Sequence, residues 1–273
     1  MGVKLEGRVA LVTGAGSGLG QGIALAYARE GARVVVNDIS QAGIDETLER
    51  IGRLGGEALG VLADVSSSRD VAAMYARLVE HWGTLDILVN NAARLDTSDE
   101  GIRARIAYYR QKFEPGPIAT LGRTRNISDE EWRKFIDVDL TGVFYCTREA
   151  LRIMEDRGRG KIINIASIAG FTSSSAFASH YSAAKGGVIA FTHAVAAEVI
   201  GAGVIVNCIA PGGVATLPWE QAPQAARDTV LRLIPARRLG SIEEYAALAV
   251  FLAGDDCNYL VGQVISPNGG VVP

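Results

Sequence analysis

Short apolar runs alternate along this chain with longer stretches whose apolar residues recur every three to four positions. Val9–Val12, Arg33–Val36, Ala58–Leu62, Leu85–Val89, Lys161–Ile165, Val204–Ile209 and Gln263–Ser266 read as strands. Gly20–Glu30, Ile44–Leu54, Ser68–His81, Glu130–Arg157, Tyr181–Val199 and Ile242–Ala253 read as helices, with Gly31 and Gly55-Gly56 closing the first two. Such alternation predicts an α/β fold: a doubly wound parallel sheet with helices on both faces. The strands are nearly continuous hydrophobic runs, as strands covered on both sides are. No repeat or linker interrupts the pattern, so residues 1–273 read as a single domain.

Two segments stand outside the alternation. Arg94–Asp129 is a long irregular stretch in which Glu100–Phe113 has helical character. Ile102, Ile106, Tyr109 and Phe113 give it an apolar stripe, and Arg103, Arg105, Arg110 and Lys112 make it basic. It reads either as a lid over a binding pocket, its arginines meeting a carboxylate, phosphate or CoA, or as a surface helix packed on a neighbouring subunit. Leu217–Arg237 reads as a second mobile cover, with Pro218 and Trp219 as pocket walls.

Composition narrows the function. The chain is 48% hydrophobic and 21% charged with a net charge of −3, which is ordinary globular make-up and argues against a nucleic-acid partner. Its 32 glycines exceed the usual share of roughly 7%. Cys146, Cys208 and Cys257 lie far apart in apolar runs, and His81, His180 and His193 lack the company of metal ligands, so no metal is expected. Met1–Arg8 carries no signal-like core, and no apolar run is recognised as approaching the roughly 18 residues of a membrane span. A cytoplasmic protein without a membrane partner is the expectation.

The glycines locate the chemistry. Thr13-Gly14-Ala15-Gly16-Ser17-Gly18-Leu19-Gly20 follows a strand and opens a helix. A tight turn there brings backbone N–H groups and a helix N-terminus against a pyrophosphate. Asp38 ends the second strand eighteen residues after Gly20. A carboxylate at that place accepts from ribose hydroxyls and repels a 2′-phosphate, which favours NAD over NADP. Tyr181 and Lys185 are four apart on a helix, so they share one face, and the ammonium favours phenolate over phenol. Tyr181 is then a candidate acid or base, and Ser167, just past the fifth strand, a candidate holder of a substrate oxygen.

In this order, these motifs resemble the short-chain dehydrogenase/reductase family in its single-domain branch, over nearly the whole chain. Thr13–Gly20 matches TGxxxGxG, Asp64-Val65 the adenine-contacting pair, Asn90-Asn91-Ala92-Ala93 the NNAG motif, and Ser167, Tyr181 and Lys185 the catalytic set. Pro211-Gly212 with Thr216 matches the segment that flanks the nicotinamide. The resemblance implies a Rossmann-type fold, usually dimeric or tetrameric, with Ser167 orienting the substrate oxygen and Tyr181 transferring the proton. Lys185 would bind the nicotinamide ribose. Gly14, Ser17, Gly18, Leu19, Asp38, Ile39, Asp64, Val65, Asn91, Tyr181, Lys185, Pro211, Gly212, Val214 and Thr216 would hold the cofactor. Asp139 stands where the family's fourth catalytic residue, an Asn anchoring a proton relay, is expected; a relay surviving with altered pH dependence is the expectation. The implied activity is hydride transfer between NAD(H) and a secondary alcohol or ketone, with a cyclic, aromatic or carboxylated substrate. A 3-oxoacyl-thioester reductase is the alternative, and an NAD-binding sensor or scaffold without turnover the remote one.

Overall fold

The computed structural model describes residues 3–96, 98–113, 116–216 and 224–272. Seven parallel strands form one sheet: β1 (Val9–Thr13), β2 (Arg33–Asp38), β3 (Ala58–Leu62), β4 (Ile87–Asn90), β5 (Gly160–Ile165), β6 (Val204–Ile209) and β7 (Val264–Ile265). Their spatial order is β3-β2-β1-β4-β5-β6-β7, so the winding reverses between β1 and β4. At such a switch point a crevice opens at the carboxyl ends of the strands.

Residue parity explains both the double layer and the unbroken apolar runs. Ala10, Val12, Val34 and Val36 face a core built with α1 (Gly18–Arg29), α2 (Gln41–Arg53) and the late helix Ile242–Ala253. Val9, Leu11 and Val35 face the opposite core, with α3 (Ser68–Trp82), α7 (Gly142–Met154) and α8 (Ser179–Val199). The inner strands bury both faces, so both sets of their positions are largely apolar, while β3 and β7 at the edges are partly exposed.

The predicted strands and most helices are present, but the long helix is not uniform. It divides into α6 (Asp129–Ile136), a π-helical turn (Asp137–Thr141) and α7. Sequence periodicity is blind to one extra residue in a turn; here the residue that needs it is Asp139, drawn into the interior by two partners described below. The segment before α6 carries α4 (Asp99–Phe113) and the short α5 (Arg123–Asn126). The expected stripe of α4 is inward at one position of four: Tyr109 packs against Phe177, but Ile102, Ile106 and Phe113 are exposed, and Gly101 and Ala104 are buried. Small residues face inward because the neighbouring chain is close; a Cβ on Gly101 would overlap the Asp96 carboxylate. After β6 come α9 (Gln224–Leu233), which lies against α4, and α10 (Ile242–Ala253). Of the expected second cover, Pro218 and Trp219 lie outside the described residues. Ser179–Ala202 has the length and apolarity of a membrane span, which the sequence reading missed; it packs along β5 and β6 and buries Lys185 and Thr192 within the fold. The three cysteines are free and buried.

Candidate active site

Outside α8 and the π-helical turn, the predicted site residues lie at the carboxyl ends of strands, in the turns that follow them or, for Gly18 and Leu19, in the first turn of α1. At the switch point, the Thr13 hydroxyl accepts from the backbone N–H of Asn91 (3.0 Å) and Ala92 (3.1 Å). The Asn91 amide donates to the carbonyls of Thr13 (2.9 Å) and Gly14 (3.1 Å). Asn91 therefore buttresses the glycine turn, a role beyond the expected cofactor contact. Gly14 has φ +63°, and a Cβ on it would sit 2.8 Å from the Ala92 Cα, so only glycine fits. Ser17 is exposed at the start of α1, and the Leu19 side chain packs into the core.

Asp38 ends β2 and binds the same turn. Its carboxylate accepts from the N–H of Gly16 (2.9 Å) and of Ser40 (3.0 Å). A Cβ on Gly16 would lie 2.8 Å from the Asp38 Cγ. Beside it Ile39 is 73% exposed, an apolar face left open at the crevice. Asp64 accepts from the N–H and hydroxyl of Ser66, while Val65 is buried against Gly142. Across the crevice, Pro211 accepts from Ile168 N–H (3.1 Å), Gly212 donates to Pro267 (3.0 Å) and Val214 bridges to Gly240. The Thr216 methyl comes within 3.8 Å of a Cβ position on Gly18, so this segment reaches the glycine turn. The cradle fits a dinucleotide: side chains are excluded from the glycine turn, and the Asp38 carboxylate stands beside it at the end of β2.

Lys185 organises the other end. It is 2% exposed, and its Nζ donates to the Ile165 carbonyl of β5 (3.1 Å). The same Nζ lies 3.3 Å from Asp139 Oδ1 and 5.7 Å from the Tyr181 ring centroid. Asp139 Oδ2 accepts from Arg94 N–H (2.9 Å), so the π-helical turn delivers a fully buried carboxylate against the lysine. π-Helical turns are frequent at functional sites. Burial pushes the Asp139 carboxyl up from its ordinary range, with the Lys185 ammonium and Arg94 offsetting part of that. Burial alone would pull Lys185 down, but Asp139 and Tyr181 outweigh it and hold the ammonium above its ordinary value. Ser167 Oγ accepts from Ala169 N–H (3.1 Å) and caps a short turn at the site's rim. Below the site, Asn90, Thr147, Asn164 and Thr192 form a buried hydrogen-bonded row that fixes α7 and α8 to the sheet.

Two groups escaped the sequence. Tyr245 is buried and its hydroxyl lies 3.2 Å from the carbonyls of both Gly213 and Pro267, sharing its one proton between them and bracing the segment after β6. His180, expected to lack company, lies with Asp96 and Glu131, ligand-type atoms within 4.8 Å of one another. The Arg123 guanidinium already bridges those two carboxylates, so the cluster is an ion-pair network with its cation in place. Asp96, Arg123 and Glu131 are 35 residues apart at most and reach His180 only through the fold, which leaves no local signal.

Comparison with known proteins agrees with this geometry. The short chain dehydrogenase family model matches residues 8–226. The chain is 34% identical to a hydroxy(phenyl)methylsuccinyl-CoA dehydrogenase subunit of Thauera aromatica, covering 97% of each chain. It is 36% identical to cis-4-hydroxycyclohexanecarboxylate dehydrogenase of Sinomonas cyclohexanicum, covering 99% of this chain and 98% of the other. It superimposes with a TM-score of 0.86 on a 3-oxoacyl-acyl-carrier-protein reductase of Brucella melitensis, 31% identical, over 98% and 92% of the two chains. The glycine turn, the Tyr181–Lys185 helix and these likenesses place the chain in the short-chain dehydrogenase family, oxidoreductases that bind a nicotinamide dinucleotide and act on small molecules.

Proposed function

We propose that this chain is an NAD-dependent oxidoreductase that interconverts a secondary alcohol and its ketone, with Tyr181 as the proton-transfer residue. The observation that carries the reading is the buried Lys185 ammonium, held by Ile165 and Asp139 and set beside the Tyr181 ring. A bound nicotinamide dinucleotide supplies the hydride acceptor for the alcohol, or the donor for the ketone. The glycine turn and Asp38 hold its adenosine end, and Pro211-Gly212, Val214 and Thr216 its nicotinamide end.

The chain's own groups manage the proton. Ser167 Oγ accepts from Ala169, which leaves its hydroxyl proton to be donated to the substrate oxygen. Tyr181, with a cation on its flank, takes the alcohol proton in oxidation and returns it in reduction. Asp139 takes the place of the relay anchor and sets the charge that Tyr181 experiences through Lys185. Asp38 faces the ribose with a negative charge, which supports NAD over NADP. The ring-bearing substrates in the names of two relatives, and the aromatic side chains beside Tyr181, support a cyclic, aromatic or carboxylated alcohol. Assembly as a dimer or tetramer and a cytoplasmic location belong to the same proposal.

The test is Tyr181→Phe. Turnover of every secondary alcohol should vanish while NADH still quenches protein fluorescence on binding; retained turnover refutes the assignment. Tighter binding of NADPH than of NADH would overturn the reading of Asp38 and favour the 3-oxoacyl-thioester reductase.

A further inference from the structure

Arg123 is a charged side chain that is 2% exposed, in a four-residue helix of the segment between β4 and α6. It gathers groups from three places. Its Nη2 lies 3.1 Å from Asp96 Oδ2, in the loop before α4, and also reaches Glu131 of α6. Its Nη1 donates to the other Glu131 oxygen (3.3 Å) and lies 3.5 Å from Glu100 of α4. Asp96 is itself fixed by the hydroxyl (2.6 Å) and N–H (3.1 Å) of Ser98. A planar guanidinium fork satisfies two carboxylates at once, which an ammonium does not.

This network ends on the residue before Tyr181. His180 is fully buried, packs at a tilt on Phe135 with ring centroids 4.0 Å apart and places Nε2 3.4 Å from the Glu131 carboxylate. Successive side chains on a helix diverge by about 100°, so His180 meets the network while Tyr181 faces the other way. There Tyr181 packs on the cluster of Ala104, Phe177 and Ala178, as do Tyr108, Tyr109 and Leu121 of the inserted segment. Two further tethers run to the same stretch: Tyr108 OH donates to Ser173 (2.8 Å), and Thr124 Oγ1 to Ser179 Oγ (3.0 Å).

We propose that Arg123 is a positioning residue: it locks the inserted segment onto the first turn of α8, making Tyr108, Tyr109 and Phe177 a fixed wall beside Tyr181 that selects bulky, ring-bearing alcohols. The inference rests on the reading of Tyr181 as the proton-transfer residue. It assigns the segment a specificity role carried by fixed rings, and its arginine serves the protein's own carboxylates before any ligand's.

The experiment compares kcat/KM for cyclohexanol and 2-propanol in Arg123→Ala, Arg123→Lys and the double variant Tyr108→Phe/Thr124→Val. Misplacing a reacting group by about 1 Å costs up to about a hundredfold, so the preference for the cyclic alcohol should fall at least about tenfold in Arg123→Ala. Arg123→Lys should fall between, and NADH affinity should stay within about twofold because the ion pairs of Arg123 go to Asp96, Glu100 and Glu131 and not to the glycine turn. The double variant loosens the tethers without stranding a buried charge, so it decides the matter if Arg123→Ala does not fold. A role confined to stability would lower the melting temperature and leave the preference intact; that result in a folded variant overturns the proposal. Tyr181→Phe run alongside separates the failures: turnover retained there refutes the catalytic reading, whereas an unchanged preference with Tyr181→Phe inactive refutes only this inference.

Discussion

Changing Asp139 to asparagine removes one charge from the buried side of Lys185 at almost constant side-chain volume. Lys185 Nζ is 3.3 Å from the Asp139 carboxylate and 5.7 Å from the Tyr181 ring centroid, so carboxylate and ring are at most about 9 Å apart. At an effective dielectric near 20, unit charges about 9 Å apart interact by roughly 1.8 kcal/mol. Like charges repel, so the Asp139 carboxylate disfavours negative charge developing on the Tyr181 oxygen during proton transfer. Removing it should shift the acid limb of the pH–rate profile for alcohol oxidation down by about one pH unit, since one unit is about 1.4 kcal/mol. The shift should persist in high salt because Asp139 and the Lys185 between it and the ring are buried. Asparagine also offers one carbonyl oxygen to two donors, Arg94 N–H and Lys185. Breaking a buried pair costs about 3–5 kcal/mol, so the melting temperature should fall as well. The assay is initial rate against pH at saturating NAD, with NADH binding measured on the same preparation. Superimposable profiles from a folded variant that binds NADH would sink the reasoning.

Three other perturbations follow from the same geometry. Lys185→Met strands the Asp139 carboxylate and removes the cation beside Tyr181, so kcat should fall by about a hundredfold or more, as losses of proton-transfer machinery do; a rate near the parent's would refute its role. Gly14→Ala forces a left-handed backbone onto a residue with a Cβ at about 1–2 kcal/mol and drives it into the Ala92 backbone, so NADH affinity should drop more than tenfold by fluorescence titration. Asp96 is held below its ordinary value of 3.8: burial opposes this, but the Ser98 and Arg123 hydrogen bonds prevail. A carboxyl depressed in the folded state adds stability above its unfolded value and loses it as pH falls through the folded one. Asp96→Asn should therefore melt lower than the parent near neutral pH, by roughly 2 kcal/mol, and the two curves should converge below about pH 4; a constant gap down to acid would contradict this.

The elements that rest on periodicity and on backbone constraints were legible in the sequence. Strands buried on both faces announce themselves as β-branched runs, and Gly14, Gly16 and Asp38 mark a turn whose geometry excludes other residues. Tyr181 and Lys185 were legible because four residues on a helix share a face whatever the rest of the chain does. The π-helical turn was not, since one extra residue leaves the hydrophobic pattern almost unchanged. The face of α4 was misread because Gly101 and Ala104 turn inward for lack of space, and hydrophobicity ranks them below Ile102 and Ile106. The Arg123 network was invisible because buried ion pairs are assembled from separate elements, and each member alone looks like surface.

The contact between α4 and α9 bears on how this scaffold can be redesigned. Both helices belong to the segments outside the strand–helix alternation, and they lie against each other. On the proposed role of the inserted segment, substrate range is a property of a matched pair. Transplanting the inserted segment of this chain into a relative without its α9, or the reverse, leaves a contact face with no counterpart, whereas moving both together carries the specificity module intact onto an unchanged sheet.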